Sequence, residues 1–293
     1  MDIGVWDVLA VMVKAALYAA TFAAAGGALF LGYAGGLLDD RERRLIGRRI
    51  ELCFIAAIAS SVLRILVTAG SMTDGASGMF DPKLIHMVWH SGEDSAVITR
   101  IAGMLLAVRA ALLPGRPSSR ALAVVGGACA AMSFAWVGHA HATGAAWTVA
   151  CVALHLVSAA FWIGALEPLA LLARGADPRR VGEAAARFGA AALGVVSVLV
   201  LTGLFALSRF LGHASALWTS PYGLVMCVKL VFVAGLLSLA AFNKTRLTPR
   251  LLTGDAAAAR SLRRSIHAEM TLAALILLTT AALTTLMGPP ALG

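Results

Sequence analysis

The sequence predicts an all-α integral membrane protein, a bundle of about eight transmembrane helices, and three observations carry that reading. Of its 293 residues, 60% are hydrophobic and only 13% charged, whereas a soluble domain carries about a quarter charged residues. The apolar residues come in long runs, each near the roughly 20 residues that a helix needs to cross a bilayer. The basic residues collect in short breaks between alternate runs. Helices are the expected spanning form, because backbone groups in lipid must be satisfied within their own segment.

The first run, 8–38, follows "MDIGVWD", which opens on acids and lacks the basic leader of a secretory signal. It is therefore expected to remain as an uncleaved helix. The second, 50–71, follows the basic segment "DDRERRLIGRR". The third, 93–113, is preceded by "SMTDGASGMFDPKLIHMVWHSG" and followed by "PGRPSSR". The fourth, 121–138, and the fifth, 146–173, are joined by the short "HAHATG". "ARGADPRR" leads into the sixth, 185–211, and "GHASALWTSP" into the seventh, 222–242. A longer basic stretch, "NKTRLTPRLLTGDAAAARSLRR", precedes the last run, 267–287. No internal repeat and no soluble domain stand out, so residues 1–293 read as a single polytopic unit.

Alternate breaks carry the charge asymmetry that orients membrane helices. Seventeen Arg and Lys residues lie in one set of loops, against Lys83 alone in the other. The positive-inside rule places the first set in the cytoplasm and both termini outside. The net charge of +9 is thereby accounted for as an orientation signal, and no nucleic-acid partner is expected; the lipid bilayer is. The four cysteines all fall in apolar segments without a C-x-x-C pair, which argues against a disulfide framework or a zinc ribbon. No phosphate-binding loop, nucleophile elbow or paired-carboxylate site is present, so no enzyme is expected.

With this orientation, six of the seven histidines gather on the outer side. His86, His90, His139, His141 and His213 lie in outward loops or at outward helix ends, and His155 lies roughly 14 Å below the outer end of the fifth run. Going inward from there, Thr148, Cys151, His155, Ser158 and Trp162 follow steps of three and four and share one helical face. Cys151 and His155 can reach one ion, and imidazole with sulfur suits copper better than calcium or magnesium. The bland reading is a small-residue helix contact with one hydrogen-bonded histidine, but ionisable groups inside a bilayer are expensive and usually serve a task.

Cys129, Met132, Trp136 and His139 similarly share a face of the fourth run, leading up to the "HAH" loop. They read as a possible pathway, or as packing. In "LIHMVWHSGEDS", His86 and His90 are spaced i and i+4 with Met87 between them, a metal-competent pair if the segment is helical. Its bland alternative is an interfacial helix anchored by Trp89. His213, near Trp218, is either a further pathway residue or a wet loop residue.

Against a simple cation funnel stand Lys14, Arg64, Arg100, Arg209 and Lys229, all in the outer halves of their runs. Asp2, Asp7, Asp74, Asp81, Glu93 and Asp94 are available to neutralise them; otherwise this belt could hold an anion such as haem propionates. Glu167-Pro168 reads mainly as a carboxylate pairing with a loop arginine, and His267 and Glu269 mainly as interface residues. Gly26-Gly27, Gly32, Gly36 and Gly126-Gly127 read as close helix contacts.

"GHAHATG", then "ALHLVSAAFWIGALEPLALL", then "AAFNKTRLTPRLL" together resemble the CopD family of bacterial inner-membrane copper-resistance proteins. The resemblance covers nearly the whole chain and maps the family pattern onto Gly138-His139, His155-Leu156, and Trp162 with Gly164. Ala165 departs from a frequent second glycine, and Glu167 stands where an apolar residue is usual. The resemblance implies an inner (plasma) membrane location, copper as the cargo and a small periplasmic CopC-like copper-binding partner. It also implies transport, usually proposed as uptake. The expected ligands are then His139, His155, His86, His90, His141, Met87 and Cys151, with Met132, Cys129, Trp162 and His213 along a possible path. CopD-like domains also look distantly related to b561-type haem membrane proteins, which keeps a haem-binding redox protein as an alternative. A membrane scaffold or sensor for a periplasmic partner is the third.

Overall fold

The computed structural model describes residues 4–112, 117–137, 145–175 and 177–287. Among these, eight helices are long and apolar enough to cross a membrane, and there is no strand. They are α1 (Val5–Leu37), α2 (Asp40–Ser71), α3 (Pro82–Leu112), α4 (Ser118–Trp136), α5 (Ala146–Arg174), α6 (Pro178–Leu211), α7 (Pro221–Leu252) and α8 (Ala256–Leu286). Each expected apolar run is one of these helices.

Several helices extend well beyond the apolar runs. α2 begins at Asp40 rather than residue 50, α6 at Pro178 rather than 185, and α8 at Ala256 rather than 267, while α7 continues to Leu252. The added turns are the basic segments, and capping chemistry makes them helical. The Asp39 carboxylate accepts from Glu42 N (2.7 Å) while the Glu42 carboxylate accepts from Asp39 N (2.8 Å), a complete capping box. Asp177 and Asp81 cap α6 and α3, each with proline at the first helical position. Asp255 accepts from Ala257 N and Ala258 N at 2.8 and 3.2 Å.

The Glu42 backbone N–H, helped by Arg180, holds the Asp39 carboxyl below its ordinary range, and the Arg250 guanidinium does the same for Asp255. A depressed carboxyl stabilises the fold above its unfolded-state value and loses that contribution as pH falls through its folded value. Both caps therefore work at neutral pH and weaken only in acid.

α1 is the hub, packing against α2, α3, α4, α5 and α8 and touching α6. α3 pairs with α4, α5 with α6 and α8, and α7 with α8. Lipid gives apolar side chains no reason to prefer one another, so close helix approach must come from small residues. At the α1–α5 crossing, a side chain on Gly26 or Gly164 would run into the other helix's backbone. Gly126 makes the same kind of contact with Gly103 of α3, and Gly127 with Ala25 of α1. Tyr18, Phe22 and Phe134 fill the space between α1 and the end of α4, with Tyr18 and Phe134 edge to face at 4.7 Å.

Two helices contain a π turn, a local widening often found at functional sites. In α3 it spans Trp89–Glu93 and includes Gly92 at φ 101°, a conformation that favours glycine. In α7 it spans Asn243–Leu247. Pro168 lies inside α5 without ending it.

Candidate functional site

The face of α5 that carries Thr148, Cys151, His155, Ser158 and Trp162 lies against the bundle. Thr148, Ser158 and Trp162 are buried, and Cys151 and His155 are half-buried. His155 Nδ1 lies 3.1 Å from Leu199 O and 3.1 Å from Thr202 Oγ1, both on α6. A carbonyl oxygen only accepts, so this contact puts the proton on Nδ1 and the lone pair on Nε2. Thr202 is arranged to accept as well, since its own hydroxyl donates to Val198 O at 2.6 Å. Gly203 beside it leaves room for the ring: a Cβ there would come within 3.2 Å of His155 Cε1. Metal-ligating histidines characteristically have one ring nitrogen tied to a carbonyl or carboxylate and the other free.

His86 and His90 lie in the first turns of α3, so the segment is helical and the pair is spaced i and i+4 on one helix. The His86 and His90 rings are 4.3 Å apart, and His90 Nδ1 is 3.7 Å from Asp94 Oδ2. Both imidazoles are exposed, and so is Met87, one residue round the helix. His213 is exposed in the turn after α6. Cys129 packs toward Gly103 of α3, and Met132 is half-buried. His139 and His141, together with Gly138, lie outside the described residues. Among the described residues, no three His, Cys, Asp or Glu side chains converge on one ion position.

The basic belt is largely absorbed by internal partners. Arg64 pairs with Glu93, which the π turn of α3 buries. Arg100, only 2% exposed, donates to Ser61 Oγ (2.9 Å) and Ser133 Oγ (3.2 Å) and lies 4.4 Å over the Phe134 ring. Lys14 Nζ donates to Thr284 O at 2.9 Å, and Arg209 lies over the Trp147 ring. Glu167 pairs with Arg49 at 3.3 Å, as its position before Pro168 suggested.

One residue departs from its sequence reading. Glu269 is not an interface residue: it is 3% exposed and accepts a hydrogen bond from Asn243 Nδ2 in the π turn of α7. Its position after the basic "RSLRRSIH" suggested the interface, but α8 turns this residue toward α5 and α7.

An α-helical bundle of eight membrane-capable helices, with an imidazole held inside it by one ring nitrogen, defines a polytopic membrane protein. Residues 5–147 match the model of the copper resistance protein D-like N-terminal domain, and residues 182–283 match that of copper resistance protein D. Copper resistance protein D of Pseudomonas syringae pv. tomato is 29% identical over 295 aligned residues, which cover 92% of this chain and 94% of that protein. No solved structure matches. The chain belongs to the copper resistance protein D family.

Proposed function

We propose that this protein takes copper from the outer face of an inner (plasma) membrane and passes it into its helical bundle, in the direction of uptake. The observation that carries the proposal is His155, whose Nδ1 is held by Leu199 O and Thr202 Oγ1 so that Nε2 faces its surroundings as a ligand. Family membership supplies the metal. The positive-inside rule places the arginine-rich ends in the cytoplasm and both termini outside, which sets His86, His90, His213 and the His139–His141 segment at the entrance. Met87 and Cys151 would assist as sulfur donors, with Met132, Cys129 and Trp162 along the way. A small periplasmic copper-binding protein of the CopC type fits as donor to this face. Copper is cargo here, and no chemical conversion is proposed.

The test is copper binding by purified protein and copper flux in proteoliposomes. His155→Ala is expected to lose high-affinity binding and flux together. Thr202→Val removes one of the two groups that orient the ring, and a loss of about tenfold in copper affinity is expected, at the low end for an outer-shell partner because Leu199 O remains. Unchanged binding in both variants would end this assignment. An absorption spectrum with a Soret band, from protein purified without added metal, would instead select the haem alternative.

A further inference from the structure

Glu269 sits in a small network whose members answer to its protonation state. Asn243 Nδ2 donates to Glu269 Oε1, while the same amide's Oδ1 is buried without a partner. On the other side, the buried indole N–H of Trp162 neighbours the carboxyl and, among the described residues, has no hydrogen-bond partner. An ionised Glu269 can accept from both donors, leaving Asn243 Oδ1 unused. A protonated Glu269 can give its O–H to Asn243 Oδ1 and release the indole. Each form thus satisfies a different orphan, and a buried polar group without a partner is costly. Asn243 stands in the π turn, and the hydroxyl of Thr248, just after that turn, donates to Asn243 O at 3.0 Å and fixes the amide's backbone.

Charged groups on the surrounding helices are turned elsewhere. On α5, Glu167 pairs with Arg49, and on α6, Arg187 lies over the Tyr33 ring of α1. On α7, Lys244 reaches Gly189 O, Arg250 pairs with Asp255, and Arg246 is exposed. Lys14 and Tyr18 of α1 meet α8 at Thr284, four turns away. On α8 itself, Arg260, Arg263, Arg264 and His267 are exposed, and His267 Nδ1 lies 2.6 Å from Arg263 O.

Trp162 also lies two turns below His155 on the same face of α5, a separation of about 10 Å along the axis. We propose that Glu269, Asn243 and Trp162 form a proton-exchange site toward the arginine-rich end of the bundle. Glu269 binds a proton from water when no cation is near and returns it to water when one passes. The Oε–H bond made and broken there is the only covalent change. That the passing cation is copper rests on the function proposed above; the proton site itself does not.

Infrared spectroscopy of the purified, metal-free protein across a pH series tests the site directly. The expected result is a protonated-carboxyl C=O band that rises as pH falls and is missing in Glu269→Gln, which keeps the acceptor for Asn243. Trp162→Phe removes the donor available only to the ionised form, so the midpoint of the same band should move upward. Adding copper to the wild type should diminish the band and release protons to an unbuffered medium. A wild type without the band, or a Glu269→Gln variant that retains it, would overturn the proton site. A band that copper leaves untouched in protein that binds copper would overturn the coupling. A band in protein that binds no copper would support the proton site while sinking the copper reading.

Discussion

Gly164→Val is expected to stop α1 and α5 from docking, with a loss of about 3 kcal/mol or more of folding stability. A Cβ at Gly164 would meet Gly26 Cα, Gly26 C and Gly27 N, and one at Gly26 would meet Ala160 O, Ala160 C and Gly164 Cα. All of these are backbone atoms of a helix, so no rotamer change can make room. The two helices would have to separate, and in a bilayer close packing is most of what holds them together. Since α1 contacts six other helices, the damage would spread through the hub. Gly194→Ala is the control: nothing lies within 4 Å of its added methyl, and helix propensity alone favours it by up to about 1 kcal/mol. Comparing the fraction of monodisperse protein and the denaturation midpoint in one detergent checks both. A Gly164→Val protein that unfolds at the wild-type midpoint would show that the α1–α5 crossing does not hold the bundle.

The same crossing sets the direction of the α5 face that carries His155 and Trp162. That face was legible in the sequence: Thr148, Cys151, His155, Ser158 and Trp162 fall at helical spacing, and buried polar groups in lipid have few other places to go. The His86–His90 pair was legible for the same reason. The helix ends were not, since apolarity registers the bilayer and says nothing of turns beyond it. Asp39, Asp177 and Asp255 extend their helices through arginine-rich segments that hydropathy counts as loop. Glu269 was misread because depth along one helix does not say which neighbour covers a residue; its cover comes from α5 and α7, more than twenty residues away in sequence. Arg100 was visible as an intramembrane cation, but its serine partners come from α2 and α4, and nothing in their local sequence marks them.

The arrangement around Arg100 makes Glu93→Ala the second costly substitution. Glu93 is 6% exposed and is paired with Arg64, while Lys14 and Arg100 feel the same carboxylate and, among the described residues, pair with no acid. Among the described residues, three cations on α1, α2 and α3 thus depend on one anion. Removing one member of a buried pair leaves an uncompensated charge and costs about 3–5 kcal/mol, whereas replacing both by apolar groups of similar volume is often close to neutral. Glu93→Ala should therefore destabilise strongly, and adding Arg64→Met should recover much of the loss. The cycle of single and double variants, followed by denaturation in a fixed detergent, measures that coupling. Additive costs would mean that Arg64 finds its stabilisation elsewhere and that the pair is incidental. Strong coupling would give the belt a structural purpose: Glu93 lets a cation-lined wall exist inside a bilayer.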